Sequence, residues 1–189
     1  MKLTLKQTAR TKFSLEHHGQ EIESYLIKGT TPILGNVEIP GLMEAAYTLM
    51  GNKQDRFILD DGEIYNVKVA RFIFFGYSFT KLHLHGREYE GYEVGRGREG
   101  HFLCIYEGDQ QIALIEKDRV VMDNKDTYDL YVEASAHTDI AKIFAIHWDC
   151  STYANSGEYL NKSKSIEIAF TINKFLKSKY DPAFKSRCF

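Results

Sequence analysis

The 189-residue chain has no long hydrophobic run: every uncharged apolar stretch is shorter than the roughly 20 residues that a membrane-spanning helix needs. Its first residues also lack the apolar core of a secretory signal. Only three cysteines occur, Cys104, Cys150 and Cys188, and none forms a C-x-x-C spacing, which argues against a disulfide framework or a zinc knuckle. We therefore expect a cytoplasmic protein with reduced thiols and no transmembrane segment.

Sequence motifs of common enzymes are also scarce. There is no G-x-S-x-G nucleophile elbow and no phosphate-binding Walker loop. The segment from Gly95 to Gly100 fits G-x-G-x-x-G, but the residues after it have a strand pattern, whereas a dinucleotide site requires a helix there. The sequence therefore predicts no cofactor and favours a protein that is not an enzyme.

Charge is unevenly distributed along the chain. The net charge is −2, yet residues 159–189 contain seven Lys or Arg against two acidic residues, so this tail carries +5 and residues 1–158 carry −7. An acidic body argues against nucleic acid as a partner of the whole fold. The basic tail is the segment in which to seek an anionic partner.

Short β-branched or aromatic runs separated by turn residues dominate the chain before Thr138. The stretch from Met43 to Met50 is ambiguous by periodicity, and we assign it to a strand because its neighbours are strands. Asp61-Gly62 lies between two β-rich runs, where we expect it to supply the positive φ angles of a tight hairpin. About twelve strands at this spacing predict a mainly β fold, a closed antiparallel barrel in which the run from Arg71 to Phe79 is central.

The segment at about 138–149 has the opposite character. Ile140, Phe144 and Trp148 recur at helical spacing, and most remaining positions are also apolar. A helix that is apolar on all sides must be buried. Because a twelve-stranded barrel is too wide to be filled by its own side chains, we expect this helix to occupy its centre.

The run from Ile112 to Tyr153 resembles the end of the tubby C-terminal-like barrel that tubby, LURP-one-related and phospholipid scramblase proteins share. The similarity lies in a hairpin pair, a D-x-Y-[LIV] strand at Asp129–Val132, and a buried helix that ends at Asp149. It covers about 42 residues. The resemblance implies a twelve-stranded barrel around a central helix, and lipid association in some eukaryotic branches of the superfamily.

A second pattern leaves a metal enzyme open as an alternative. His83 and His85 are spaced so that both would face one side of a strand, and with Glu90 they resemble the first metal motif of cupins. The second cupin half is absent, since no proline lies between Pro40 and Pro182. Two histidines on the polar face of an exposed strand are the simpler interpretation.

The basic tail, residues 159–189, has the outline of an amphipathic helix that caps the barrel, contacts a sister subunit or binds a lipid surface. We predict a non-enzymatic binding module of residues 1–158 plus this helical appendage, with anionic phospholipid or a protein as partner and peripheral membrane association. A homo-oligomeric scaffold that assembles through the tail helix is a further alternative. The basic side chains proposed for anion or lipid contact are Arg87, Arg96, Arg98, Lys174, Lys177 and Lys179.

Overall fold

The computed structural model describes residues 1–9, 12–28, 36–39, 43–47, 56–59, 61–69, 76–153 and 164–188. Most of them lie in β-strands, as the sequence predicts. The strands are β1 (Lys2–Ala9), β2 (Lys12–His17), β3 (Gln20–Lys28), β4 (Asn36–Ile39), β5 (Met43–Tyr47), β6 (Arg56–Leu59), β7 (Gly62–Val69), β8 (Tyr77–Leu84), β9 (Arg87–Gly97), β10 (His101–Glu107), β11 (Gln110–Lys117), β12 (Val120–Met122), β13 (Thr127–Val132), β14 (Lys164–Ile166) and β15 (Ala169–Phe170). Of the central strand expected at Arg71–Phe79, residues 71–75 lie outside the described residues and Tyr77–Phe79 belong to β8. The tail boundary at 158/159 also lies outside the described residues.

One large antiparallel sheet holds thirteen of these strands, in the order β10-β11-β13-β1-β2-β3-β4-β5-β6-β7-β8-β9-β15. Strand β9 also pairs with β10, with Gly95 opposite His101 and Glu90 opposite Tyr106. Most neighbours in the sheet follow one another along the chain, so short hairpins set their register. Strands β12 and β14 form a separate two-stranded pair beside the large sheet.

Tight turns join several of these strands through residues with positive φ. His18-Gly19 has φ angles of 51° and 78°, and Asp123-Asn124 has 54° and 56°. Both pairs fit the two-residue turns whose twist matches that of the flanking strands. Gly62 differs from the expectation, because its φ is not positive. Gly62 is needed for space instead, since a Cβ there would lie 1.9 Å from the carbonyl oxygen of His83.

The predicted helix is present as α1 (Thr138–Trp148), after a 3-10 turn at Ser135–His137 and before a π-helical turn at Asp149–Tyr153. Every residue from 140 to 148 is buried, which confirms the expectation of a helix covered on all sides. The one lysine among them, Lys142, is neutralised: its Nζ lies 2.5 Å from a carboxylate oxygen of Asp139 and 3.0 Å from one of Glu23 on β3.

Contacts of α1 reach several separate strands of the large sheet. A Cβ at Gly91 of β9 would lie 2.6 Å from the Phe144 ring, so this glycine makes room for the aromatic side chain. Near the end of the helix, the Trp148 ring packs against that of His101 at the start of β10, with 4.9 Å between centroids. The buried residues of α1 and of the sheet's inner face form one apolar core.

The tail is not the single amphipathic helix that the sequence suggested. Its described part begins with the strands β14 and β15, followed by the short helix α2 (Lys174–Ser178) and a 3-10 turn at Phe184–Arg187. The apolar residues before α2 alternate with a period of two, and backbone pairing with β12 and β9 favours the extended form.

The end of the tail packs on the outer face of the large sheet. Phe184 and Cys188 lie with Val94, Phe102, Cys104 and Leu114 in a second apolar cluster, apart from the core around α1. All three cysteines are free and buried. In the part of the chain that the structure describes, no helix is long and apolar enough to cross a membrane.

Candidate functional site

The tail exposes an unusual row of apolar side chains. Between β14 and α2 the chain is extended, and Ile166, Ile168, Phe170 and Ile172 are 65%, 49%, 76% and 91% exposed, respectively. We call these four residues the apolar strip. Single exposed apolar residues are common on protein surfaces, but four consecutive alternate positions on one face form a continuous patch of the kind that marks an interaction site.

One edge of the same segment is anchored to the protein. The Glu167 amide donates to the Arg119 carbonyl oxygen at 2.8 Å, and the Thr171 amide donates to the Gly95 carbonyl oxygen at 3.0 Å. Gly95 is required by this approach, because a Cβ there would lie 2.5 Å from the carbonyl carbon of Ala169. The strip is therefore held by backbone pairing, and its outward direction is set by the pleat of the strand.

Basic side chains without ion-pair partners lie close to the strip along the chain. Lys164 precedes it, and Lys174 and Lys177 follow it on α2; all three are exposed. None of them forms an ion pair within the described ranges. Two of the predicted lipid-contact lysines thus lie beside an apolar surface that helical spacing had not revealed.

Lys179, also predicted to contact lipid, is placed differently. Its Nζ lies 4.4 Å from the ring centroid of Tyr92, 4.6 Å from that of Tyr106 and 5.3 Å from that of Phe175. Such cation–π contacts stabilise a lysine where it is. The Lys179 carbonyl oxygen also accepts a 2.7 Å hydrogen bond from the Tyr106 hydroxyl. Lys179 therefore fastens the tail to β9 and β10.

The three predicted anion-binding arginines do not form one cluster. Arg87 begins β9 and faces Glu107 at 3.3 Å, whereas Arg96 lies nine residues further along, about 30 Å away on an extended strand. Arg96 is engaged by Glu99, at 2.6 Å. Arg98 is exposed in the following loop and forms no ion pair with any described residue. Arg87 therefore lies apart from Arg96 and Arg98, and the contact of each arginine with an anion stays a prediction.

The alternative metal set is not assembled either. Strand β8 ends before His85, which lies in the turn with Nδ1 2.5 Å from an Asp61 carboxylate oxygen. His83 contacts the Tyr65 hydroxyl at 3.2 Å, and Glu90 accepts a hydrogen bond from the Tyr92 hydroxyl. Across the described ranges, no group of three or more His, Cys, Asp or Glu residues is arranged to hold a metal ion.

A cavity of about 400 Å³ lies behind the apolar strip. We call it the tail pocket, because the tail segment from Glu167 to Ala169 forms one wall. Its lining is mixed in polarity and comes from β10, from the end of β11 and the residues after it, from the π-helical turn and from the tail: His101, Lys117, Asp118, Arg119, Thr152, Tyr153, Glu167, Ile168 and Ala169. The volume is within the range of small-molecule sites.

One side of the tail pocket carries a chain of hydrogen bonds. His101 Nε2 lies 2.7 Å from a carboxylate oxygen of Glu93, and its Nδ1 is hydrogen-bonded to the Tyr153 hydroxyl. Because a carboxylate only accepts, Nε2 carries the proton and Nδ1 of the neutral imidazole accepts from Tyr153. Burial raises the pKa of the Tyr153 hydroxyl, with Glu93 and other nearby carboxylates adding to the effect, so Tyr153 is a hydrogen-bond donor at neutral pH.

Buried charges lie directly behind the pocket. The Lys117 side chain is 2% exposed and its Nζ is 2.7 Å from an oxygen of Asp126, whose side chain is fully buried; Nζ also pairs with Glu167. Nearby, the Tyr128 hydroxyl donates to Asp149 at 2.7 Å. Burial raises the pKa of the Asp149 carboxyl to about 7, and Asp126 adds to this, while the Tyr128 hydrogen bond and Lys117 oppose it.

The pocket residues were not singled out by the sequence reasoning. His101, Lys117, Arg119 and Tyr153 come from separate elements and share no motif, so only the pairing of the strands brings them together. Comparisons with protein-family models, with curated proteins and with solved structures found no match. The apolar strip and the tail pocket are therefore the features of the described residues that suggest a function.

Proposed function

We propose that this protein is a non-enzymatic binding module that associates peripherally with anionic membrane surfaces through the apolar strip. The observation that carries the proposal is the exposure of Ile166, Ile168, Phe170 and Ile172 on one face of a backbone-anchored segment. Apolar side chains that leave water for the headgroup region supply the attraction, and nearby lysines add attraction to anionic lipids.

The basic residues that form no ion pair with a described residue lie close to the strip along the chain. Their position supports binding to an anionic rather than a neutral membrane surface. Lys164 is two residues before the strip, and Lys174 and Lys177 are within five residues after it. Arg98 is also near the strip along the chain, because it follows Gly97. A Cβ added at Gly97 would lie 2.9 Å from the ring of Phe170. Each such charge near an anionic leaflet contributes about 1 kcal/mol of attraction.

We also propose that the sheet closes into a barrel of twelve strands around α1, as in the tubby-like superfamily. The β9–β10 pairing supports closure, because it gives every strand of the series β1 to β11 plus β13 two hydrogen-bonded neighbours. The burial of α1 on all sides supports a central position. On this proposal the tail lies outside the barrel, which leaves the strip free for a membrane.

Co-sedimentation with vesicles tests the membrane proposal. The full chain is expected to bind vesicles that contain phosphatidylserine, more weakly at high salt, and to bind neutral vesicles poorly. An Ile or Phe side chain contributes about 1.5–3 kcal/mol when fully buried, so the double variant Phe170→Ser/Ile172→Ser should lower partitioning at least about 100-fold. Lys174→Glu changes two charges and should lower it about 30-fold.

Two matched controls separate the strip from general surface effects. Ile22 on β3 is 52% exposed, and Lys12 at the start of β2 is exposed without an ion pair to any described residue. Ile22→Ser and Lys12→Glu should therefore bind vesicles like the unchanged protein. Equal losses in the controls and the strip variants would contradict the proposal.

Light scattering on the same samples addresses the homo-oligomer alternative. The membrane proposal predicts a monomer of 21.8 kDa in solution before and after the strip is altered. A larger particle that becomes monomeric in Phe170→Ser/Ile172→Ser, together with no vesicle binding, would identify the strip as an interface between copies of the chain and overturn the membrane proposal.

A further inference from the structure

We infer that the tail pocket is a binding site for a small monocarboxylate with an apolar body. This inference does not depend on membrane binding by the strip. The cavity of about 400 Å³ is large enough for such a molecule, and its lining provides both a charged anchor and an apolar wall.

Arg119 supplies the anchor. Its side chain is half-buried in the pocket lining, between β11 and β12. The guanidinium forms no hydrogen bond, ion pair or ring contact with any described residue, whereas the neighbouring cation, Lys117, is already paired with Asp126 and Glu167. A guanidinium binds a carboxylate through two parallel hydrogen bonds, a geometry that a lysine cannot reproduce.

The charge balance of the pocket limits an anionic ligand to one negative charge. Lys117 and Arg119 are balanced by Asp118 and Glu167 among the lining residues, and the buried Asp126 lies behind them. Asp118 is exposed and accepts a hydrogen bond from the amide of Val120, at 2.9 Å. Arg119 can pair with one carboxylate, because it forms no ion pair with any described residue. A doubly charged phosphate would be repelled by the neighbouring acidic side chains.

The rest of the wall fits an apolar body. Ala169 of the tail and the ring of Tyr153 contribute carbon surface, and the Tyr153 hydroxyl is hydrogen-bonded to His101. The Thr152 hydroxyl makes no hydrogen bond with any described residue and can serve the second carboxylate oxygen.

Titration with sodium benzoate tests the inference in the full chain. The chain's one tryptophan, Trp148, packs against His101 of the pocket, so its fluorescence provides a readout beside calorimetry. Saturable millimolar binding is expected, at least about tenfold weaker for benzamide, which lacks the charge, and at least about tenfold weaker in Arg119→Ala. The affinity of Arg119→Lys for benzoate should lie between the affinities of the unchanged protein and of Arg119→Ala. Inorganic phosphate should bind more weakly than benzoate.

Arg98→Ala is the matched control, because Arg98 is an exposed arginine without an ion pair to any described residue and outside the pocket lining. It should bind benzoate unchanged. Equal benzoate binding by Arg119→Ala, no saturable binding by the unchanged protein, or tighter binding of phosphate would each overturn the inference. The Trp148 emission and urea midpoint of each variant verify folding. Vesicle binding by Arg119→Ala should be normal, so the pocket and the strip can fail separately.

Discussion

The buried carboxyl of Asp149 makes a quantitative prediction about stability and pH. Asp149 is fully buried at the end of α1, its pKa is raised from 3.8 to about 7, and it accepts a hydrogen bond from Tyr128. Between these two pH values the unfolded chain releases the proton that the folded protein retains. The free energy of unfolding should therefore fall as pH rises, by about 1.4 kcal/mol per pH unit from this group.

Asp149→Asn isolates this contribution, because an amide oxygen still accepts from Tyr128 but the side chain cannot ionise. Near pH 4 the two proteins should differ little. Above pH 7 the unchanged protein carries the whole cost of a buried charge, so the variant should be more stable by about 4 kcal/mol. Other carboxyl groups titrate in both proteins and largely cancel in the difference.

Urea unfolding at pH 5, 6, 7 and 8 measures this difference directly. Asp109, exposed in the turn between β10 and β11, provides the control: Asp109→Asn should change stability by about 0.5 kcal/mol or less at each pH. A difference between Asp149→Asn and the unchanged protein that stays constant from pH 5 to pH 8 would refute the reasoning about burial.

Two further predictions concern the surroundings of the pocket and the strip. Lys117→Met removes one member of a buried ion pair and should destabilise the fold by about 3–5 kcal/mol in urea. Lys185→Met removes a partly exposed ion pair with Glu116 and should cost about 0–1 kcal/mol, so equal effects would contradict the assignment of Lys117 as buried. Gly95→Ala places a Cβ against the backbone of Ala169 and should release the tail from β9, so trypsin should cleave the tail faster; unchanged cleavage would contradict that packing.

Local patterns were sufficient to predict the main elements. The residues from Ile140 to Trp148 are apolar except for Lys142 and His147, and this pattern predicts a buried helix because it leaves no broad polar face to meet water. Alternation at Leu3 and Leu5 predicts β1, whose other face is wetter. Asp123-Asn124 has the turn geometry that its residue types favour.

The tail shows where this reasoning goes wrong. Its lysines and apolar residues fit a helical stripe, but SIEIAFTI also alternates from Ser165 to Ile172, and pairing with β12 and β9 decides for the extended form. Tertiary contacts routinely override such a weak local preference. The sequence did not predict strand β2, although Phe13 and Leu15 alternate with polar residues. The polar residues that follow made the segment resemble a loop, and the His18-Gly19 turn was not recognised.

The candidate sites depend on contacts that a single sequence does not encode locally. His101 and Arg119 are eighteen residues apart, and Tyr153 lies a further thirty-four residues along the chain. Only the pairing of β9 with β10 and of β10 with β11 brings their elements to one end of the sheet. Among the basic residues predicted for lipid contact, Lys174 and Lys177 follow the strip along the chain. Lys179 instead forms cation–π contacts with Tyr92 and Tyr106.

The most direct test of the membrane account places a reporter in the strip. In Ile172→Trp the new indole should be quenched by brominated lipids in phosphatidylserine vesicles, because Ile172 is 91% exposed and belongs to the proposed contact surface. In Ile22→Trp, on β3, the new indole should not be quenched, and buried Trp148 gives the same background in both proteins. Equal quenching in the two variants, or none in either, would contradict insertion of the apolar strip into the membrane.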